Sequence, residues 1–284
     1  MTASAAPQRT AIATFRQLHS SGCFVLPNPW DIGTSVFLQH LGFKALATTS
    51  AGVAFTRGRA DAVWALPLEV MLAHTREIVA ATSLPVNADF QSGFARDPEG
   101  VARNVRACVE TGVAGLSIED ATGDAGSPLY ERKEAIARFA AARAAIDASG
   151  VPVLLTARCE AWLVRHPDAR RITLDRLVAF AEAGADCLYA PGVRDLAEIE
   201  AIVRAVAPKP VNVLVAWPNP ELTVERLAGI GVRRISVGSA LARVAWGAFI
   251  RAAKSIIGTG NFQSLAEAAP FQELDDVFGK DGLE

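Results

Sequence analysis

Six short apolar runs recur about every 20 to 40 positions along this chain, and each closes on a small group of polar residues. They are Leu46-Ala47-Thr48-Thr49-Ser50, Val86-Asn87-Ala88-Asp89, Leu116-Ser117-Ile118-Glu119-Asp120, Leu154-Leu155-Thr156-Ala157-Arg158, Leu188-Tyr189-Ala190-Pro191 and Pro210-Val211-Asn212-Val213. Each has the length of a strand covered on both faces, which reads as an unbroken apolar run rather than an alternation. Helical sequence lies between them. Parallel strands joined by helices bring their carboxyl ends to one face, and that face is where α/β enzymes carry their chemistry. The pattern therefore predicts an α/β enzyme with its site at the polar strand ends.

Two further runs complete a set of eight. The predicted strands are 23–26, 45–49, 85–88, 114–118, 151–156, 185–189, 210–213 and 233–237. Several follow Gly-Val-Ala, Gly-Ala-Asp or Gly-Val-Arg, a helix stop and turn before a strand. Helices are predicted at 10–21, 32–41, 67–82, 99–111 and 239–257, with a glycine-bearing loop at 51–62. Eight β/α units in about 250 residues predict a closed (β/α)8 barrel of the TIM type. No GxGxxG follows the first strand, which counts against a dinucleotide fold. The expected organisation is a catalytic barrel over 1–258 and a C-terminal helical extension over 259–284. The extension carries Leu265, Phe271, Leu274, Val277 and Phe278, too many apolar residues for a free tail, so it should pack on this subunit or a neighbour.

Composition narrows the partners. Of 284 residues, 51% are hydrophobic, enough for a full core, and the net charge is −2 with no basic run. Nucleic-acid and anionic-membrane binding lack electrostatic support. The four cysteines form no CxxC pair, which speaks against a zinc cluster or disulfide framework and for a reducing cytoplasm. The first nine residues contain no apolar core of a signal peptide. No uncharged apolar stretch reaches the ~18 residues of a membrane span.

The strand ends supply candidates. Asp89 ends the third strand, Glu119 and Asp120 the fourth, and Asp61 lies in the loop after the second. Carboxylates without histidine suit a hard cation, Mg²⁺ or Mn²⁺, held through oxygen and water. Singly, Asp89 or Asp120 could instead cap the helix that follows, but capping accounts poorly for the cluster. Arg158, ending the fifth strand, is suited to clamp a carboxylate or phosphoryl group, or to pair with Glu119, and the two are compatible. Asn212 either orients a distal carboxylate or is a turn residue. Thr49, Ser50, Ala51 and Gly52 are small enough for backbone N–H groups to approach an anion. Trp30, Phe90, Trp162, Tyr189 and Trp217 suggest an apolar pocket flank, or ordinary core. His19, His40 and His74 fall in helical patterns, at the surface or partly packed. His166 is expected in a solvated loop, and Cys159 should point away from Arg158.

Taken in order, Leu26-Pro-Asn-Pro-Trp-Asp31, Ala47-Thr-Thr-Ser-Ala-Gly-Val53 with Asp61, Val86-Asn-Ala-Asp89 with Gly93-Phe94, Ile118-Glu-Asp120 and Ala157-Arg158 resemble the isocitrate lyase/phosphoenolpyruvate mutase superfamily, over roughly residues 10 to 255. The resemblance implies a Mg²⁺-dependent (β/α)8 barrel that makes or breaks C–C or P–C bonds beside a carboxylate. It implies Asp89 as principal metal ligand, with Asp61 and Glu119 acting through metal-bound water. It also implies a substrate cradle at Thr49, Ser50 and Ala51 beside Trp30, Arg158 at the substrate oxyanion, Asn212 as a distal contact and Arg243 as a further arginine. Catalysis would rest on Arg158, Asp61, Glu119 and Thr49. It further implies a homo-oligomer, dimer or tetramer, in which the last barrel helix is swapped.

The departures are specific. Asn87 stands where the family often has the first Asp of Asp-x-Asp. The stretch 121–126, Ala-Thr-Gly-Asp-Ala-Gly, lacks the Lys-Lys-Cys-Gly-His of isocitrate and methylisocitrate lyases and the lysine and asparagine of the mutases. The end of the sixth strand lacks the glutamate of methylisocitrate lyases. The Glu-Asp-Ala-Thr-Gly form resembles a branch of 2-oxocarboxylic acid lyases. The expected activity is a C–C lyase or decarboxylase on a small 2-oxo or 2-hydroxy acid, with Asp124 or Tyr130 as candidate proton donors. The rivals are a P–C hydrolase or mutase and a non-catalytic keto-acid-binding barrel.

Overall fold

The computed structural model describes residues 5–279. Eight strands, β1 Phe24–Leu26, β2 Leu46–Ala47, β3 Val86–Asp89, β4 Gly115–Glu119, β5 Leu154–Arg158, β6 Cys187–Tyr189, β7 Val211–Leu214 and β8 Arg234–Ser236, form one sheet in the order β1-β8-β7-β6-β5-β4-β3-β2. Every ladder is parallel. The edges β1 and β2 share no ladder, but the Ala47 N–H donates to the Pro27 carbonyl at 3.0 Å. Asn28 adds a side-chain bridge across the seam. Its Nδ2 donates to the Thr48 carbonyl, and its Oδ1 accepts from the N–H groups of Val237 and Gly238. The barrel is thus closed but for this seam, as the eight runs predicted.

Helices alternate with the strands: α1 Ala5–Ser20, α2 Ile32–His40, α3 Ser50–Thr56, α4 Leu68–Ala80, α5 Pro98–Val109, α6 Arg132–Ser149, α7 Ala169–Glu182, α8 Leu196–Val206, α9 Val224–Gly229 and α10 Ala240–Thr259. Local chemistry sets their ends. Asp31 and Thr34 form a reciprocal capping box on α2, and Asp97 caps α5 with Pro98 in its first turn. α6 stops at Gly150, whose φ of 67° favours a residue without Cβ. No described helix is long and apolar enough to cross a membrane.

Three expectations are corrected. The segment 51–62, read as a loop, opens with α3; its two turns are too short to show a helical period, and Thr49 caps them by accepting from the Gly52 N–H. α10 passes through Gly258 and stops only at Gly260, whose φ is 65°, because one interior glycine costs a helix only about 1 kcal/mol. His19 and His74 are buried rather than superficial. Ile12, Phe15 and His19 follow an i, i+3, i+7 spacing that turns them inward, and Phe15 enters the gap left by Gly115, where a Cβ would lie 2.6 Å from its ring.

Beyond α10, a 3₁₀ turn at Gln263–Glu267 leads to α11, Phe271–Phe278. Val277 is buried, and the Phe278 ring lies 3.7 Å from where a Cβ on Gly33 of α2 would stand. The extension therefore packs on its own subunit at this point, while Phe262, Leu265 and Phe271 stay exposed.

Candidate active site

The carboxyl ends of the strands surround a cavity of about 300 Å³ that continues down into the barrel. Asp61, Asp89, Arg158, Thr49, Ser50, Ala51, Asn212 and Arg243 all line it. Glu119 stands just behind them. Trp30 does not reach the cavity; it sits beside a neighbouring cleft with Trp246 and Phe249 of α10. Of the other aromatics, Tyr189 and Trp217 line the cavity, whereas Phe90 is core, packed on Phe94, and Trp162 lies outside. Asp124 and Tyr130 border a separate cavity of about 640 Å³ with Trp64 and Arg96.

Arg158 is the centre of the site. Its Nη1 lies 2.8 Å from Asp89 Oδ1 and 3.0 Å from Glu119 Oε2. Its Nε and Nη2 lie 3.0 and 2.9 Å from Glu160 Oε1. Parallel register sets Glu119 beside Arg158 and Asp89 beside Ser117, two residues earlier on the ladder, and the long Arg158 side chain reaches both carboxylates. Burial opposes the Arg158 charge, but Glu119, Glu160 and Asp89 together hold its pKa well above the ordinary value. Burial likewise pushes Glu119 well above the usual carboxylate range, with Arg158 opposing and Glu160 and Asp89 reinforcing, and Glu160 is raised for the same reasons.

Asp89 is anchored on three sides. Its own N–H donates to Thr48 Oγ1 at 2.8 Å, and its Oδ2 accepts from the Ser50 N–H at 2.9 Å. The expected cradle is thus partly engaged internally: the Ser50 amide serves Asp89, and the Thr49 hydroxyl caps α3. Asp61 is exposed at the rim. Desolvation in the mouth raises its pKa first, then the Asp89 charge, with Arg158 opposing. Gln91 holds the loop that carries it, accepting from the Trp64 N–H at 3.0 Å and donating to the Ala62 carbonyl at 3.1 Å. Asn212 is buried and spends its amide inside the barrel, on Arg234 and Ser236.

Sequence reasoning missed Glu160, Gln91, Asn28 and Arg234. Glu160 had a signal: it lies two residues past Arg158, on the same side of an extended chain. The others had none, since they act across elements distant in sequence. Asp120, a candidate by position, is diverted. It pairs with Arg176 of α7 at 2.8 Å and accepts from the Glu160 N–H, so it ties β4, β5 and α7 together. His166 accepts from the Asp168 N–H near the start of α7, and the Cys159 thiol faces Thr173 of α7, away from the site.

Among the described residues, no group of three or more His, Cys, Asp or Glu side chains is arranged as a metal cage. Mg²⁺ needs less, since one or two carboxylates, water and substrate oxygens satisfy it. Asp61 and Asp89 share the cavity, and three carboxylates (Asp89, Glu119, Glu160) pair with the Arg158 guanidinium. Two carboxylates facing one cavity, completed by water and substrate oxygens, are a donor set that a hard divalent cation accepts, so the residues fit Mg²⁺ or Mn²⁺ at Asp61 and Asp89. Glu119, bound to Arg158, would reach it only through water.

The chain is thus a parallel (β/α)8 barrel whose strand ends gather carboxylates about an arginine. The chain matches the family model for phosphoenolpyruvate phosphomutase over residues 15–257 and belongs to that family, within the phosphoenolpyruvate mutase/isocitrate lyase superfamily of lyases and mutases. It is 31% identical over 264 residues to an uncharacterised protein of Mycobacterium tuberculosis, covering 92% of this chain and 94% of the relative. It is 32% identical over 237 residues to the oxaloacetate decarboxylase of Pseudomonas aeruginosa, covering 80% and 79%. A crystal structure from Burkholderia cenocepacia, described as that of a lyase or mutase, superposes with a TM-score of 0.91 at 46% identity, covering 96% of this chain and 97% of the other.

Proposed function

We propose that this protein is a Mg²⁺- or Mn²⁺-dependent C–C lyase or decarboxylase acting on a small 2-oxo or 2-hydroxy carboxylic acid. The observation that carries this reading is Arg158, locked among Asp89, Glu119 and Glu160 at the cavity wall. A guanidinium has five N–H donors. Two are directed in hydrogen bonds to Asp89 and Glu160, and Nη1 and Nη2 also lie within ion-pair distance of Glu119 and Glu160, so the guanidinium is fixed with donors still open to a substrate oxygen. In a 2-oxo acid, the electron pair of the breaking C3–C4 bond moves through C3 onto the C2 carbonyl oxygen as an enolate. In a 2-hydroxy acid, the hydroxyl proton leaves as C2 becomes a carbonyl, and the pair goes to the departing carbon beside its own carboxylate. In either case a fixed cation beside the oxygen that gains charge stabilises it. A bound divalent cation supplies Lewis-acid stabilisation of the same charge. Tyr189, its pKa pushed up to about 12 mainly by burial, keeps its proton and meets the cavity as an O–H donor. The relationship to an oxaloacetate decarboxylase supports C–C cleavage.

The supporting surroundings are read with it: a barrel over 1–258 with an extension over 259–284, in a cytoplasmic homo-oligomer, dimer or tetramer, without nucleic acid or membrane. The exposed apolar side of α10, with Val244, Phe249 and Ile250, supports the assembly. The test is proton and phosphorus NMR of the protein with Mg²⁺ and oxaloacetate, isocitrate, methylisocitrate, 4-hydroxy-2-oxo acids or phosphonopyruvate. Pyruvate or glyoxylate formation, lost on chelation and in Asp89→Ala, is the expected result. Phosphate release from phosphonopyruvate would move the activity to P–C cleavage, which the family model's description favours. Binding of the panel without turnover would refute the enzyme reading in favour of a keto-acid-binding barrel.

A further inference from the structure

Arg234, on β8, is 2% exposed and lines the same cavity as the carboxylate cluster. All its partners are neutral. Nε donates to Asn212 Oδ1 at 2.8 Å, Nη2 to Thr156 Oγ1 at 3.0 Å, and Nη1 lies 3.3 Å from His19 Nε2. His19 can only accept there, because its Nδ1 is 2.7 Å from the Phe15 carbonyl and must carry the ring proton. Among the described residues no carboxylate pairs with Arg234. A guanidinium buried without counter-charge carries a desolvation penalty that neutral hydrogen bonds offset only in part.

The wall around it is equally unusual. Barrel interiors of this type are mostly filled by bulky branched side chains. Here Asn87, Ser117, Asn212 and Ser236 face the cavity beside Arg234, and the space of about 300 Å³ has room for roughly ten waters. Three of the five Arg234 N–H donors are engaged, so two remain. Ser236 accepts from Asn212 Nδ2 at 2.9 Å, and its hydroxyl also meets Tyr189, another cavity-lining hydroxyl. The cavity therefore has an acidic mouth, suited to a cation, and a cationic floor without its anion.

We propose that Arg234, positioned by Asn212 and Thr156 and joined by the Ser236 hydroxyl, forms a deep anion-binding subsite inside the barrel that takes a single carboxylate- or phosphate-class oxyanion. Two sources fit this chemistry: the second acid group of a substrate whose first end lies at the mouth, or a free inorganic anion. The first source rests on the proposed lyase reading, whereas the subsite itself does not.

The test is calorimetric titration of the full chain with Mg²⁺, using acetate, malonate, succinate, glutarate, inorganic phosphate and chloride as probes. Wild type should bind one dicarboxylate or one inorganic anion about 10- to 100-fold more tightly than acetate, and Arg234→Gln should remove that preference. Asn212→Asp keeps the shape, sets a carboxylate against Arg234 Nε, and should remove the same preference should Arg234→Gln fail to fold. A dicarboxylate of one chain length winning over phosphate and chloride assigns the subsite to the substrate; phosphate or chloride winning assigns it to a free anion. Equal binding of acetate and all other probes by wild type, or a preference that survives both substitutions, overturns the proposal. Binding is read without turnover, so a chain inactive on every oxo acid still tests Arg234. Turnover with Arg234→Gln unchanged in binding removes this inference alone.

Discussion

The burial of His19 makes a quantitative statement about acid stability. The ring is held neutral at the amino end of the barrel, its pKa lowered from 6.5 to about 3, first by burial and then by the Arg234 and Arg16 charges, against the opposing hydrogen bond to Phe15. A histidine with a depressed folded-state pKa binds its proton mainly in the unfolded chain. Stability therefore falls as pH drops through 6.5 and continues to fall until about 3. At pH 5 the unfolded ring is protonated by about 1.5 pH units of driving force while the folded ring is not, which amounts to about 2 kcal/mol. Urea unfolding of wild type and His19→Gln at pH 7 and pH 5 isolates this contribution, because the other titrating groups cancel in the difference between the two proteins. The stability gap between them should shift by about 2 kcal/mol in favour of the variant on acidification. An NMR titration of the ring checks the cause directly. A ring that titrates near 6.5 in the folded protein, or a gap that does not change with pH, refutes the reasoning.

Further outcomes follow from the site. Arg158→Gln leaves Asp89, Glu119 and Glu160 facing one another and should cost about 3–5 kcal/mol along with turnover. Because Glu119 and Glu160 have raised folded pKa values, part of that stability should return as pH falls below neutral, which melting curves across pH will show. Gln91→Ala frees the loop carrying Asp61 and strands the Trp64 N–H. It should destabilise by about 1–3 kcal/mol and weaken Mg²⁺ binding in a metal titration while Asp89 stays in place. Phe249→Asp places a charge on the exposed apolar side of α10; sedimentation should show wild type as a dimer or tetramer and the variant as a monomer, and a monomeric wild type would sink the oligomer reading.

The elements and the face that carries the chemistry were readable from residues alone. Strands covered on both sides must be apolar throughout, so the runs ending at Asp89, Glu119 and Arg158 announced both the barrel and its mouth. The helix start after Asp31 was equally local, since a cap is satisfied within three residues. What each polar group touches was not local. Arg234 meets His19 across 215 positions, and Asn28 ties the barrel seam to Val237 across 209. Asn212, read as a distal substrate contact or a turn residue, lines the cavity with its amide bonded to Arg234 and Ser236, and Trp30 borders a neighbouring cleft instead. The apolar period of a segment decides whether it is strand or helix and which side is buried. The tilt and register of eight strands around a closed barrel decide which inward side chains share a level, and no segment contains that information by itself.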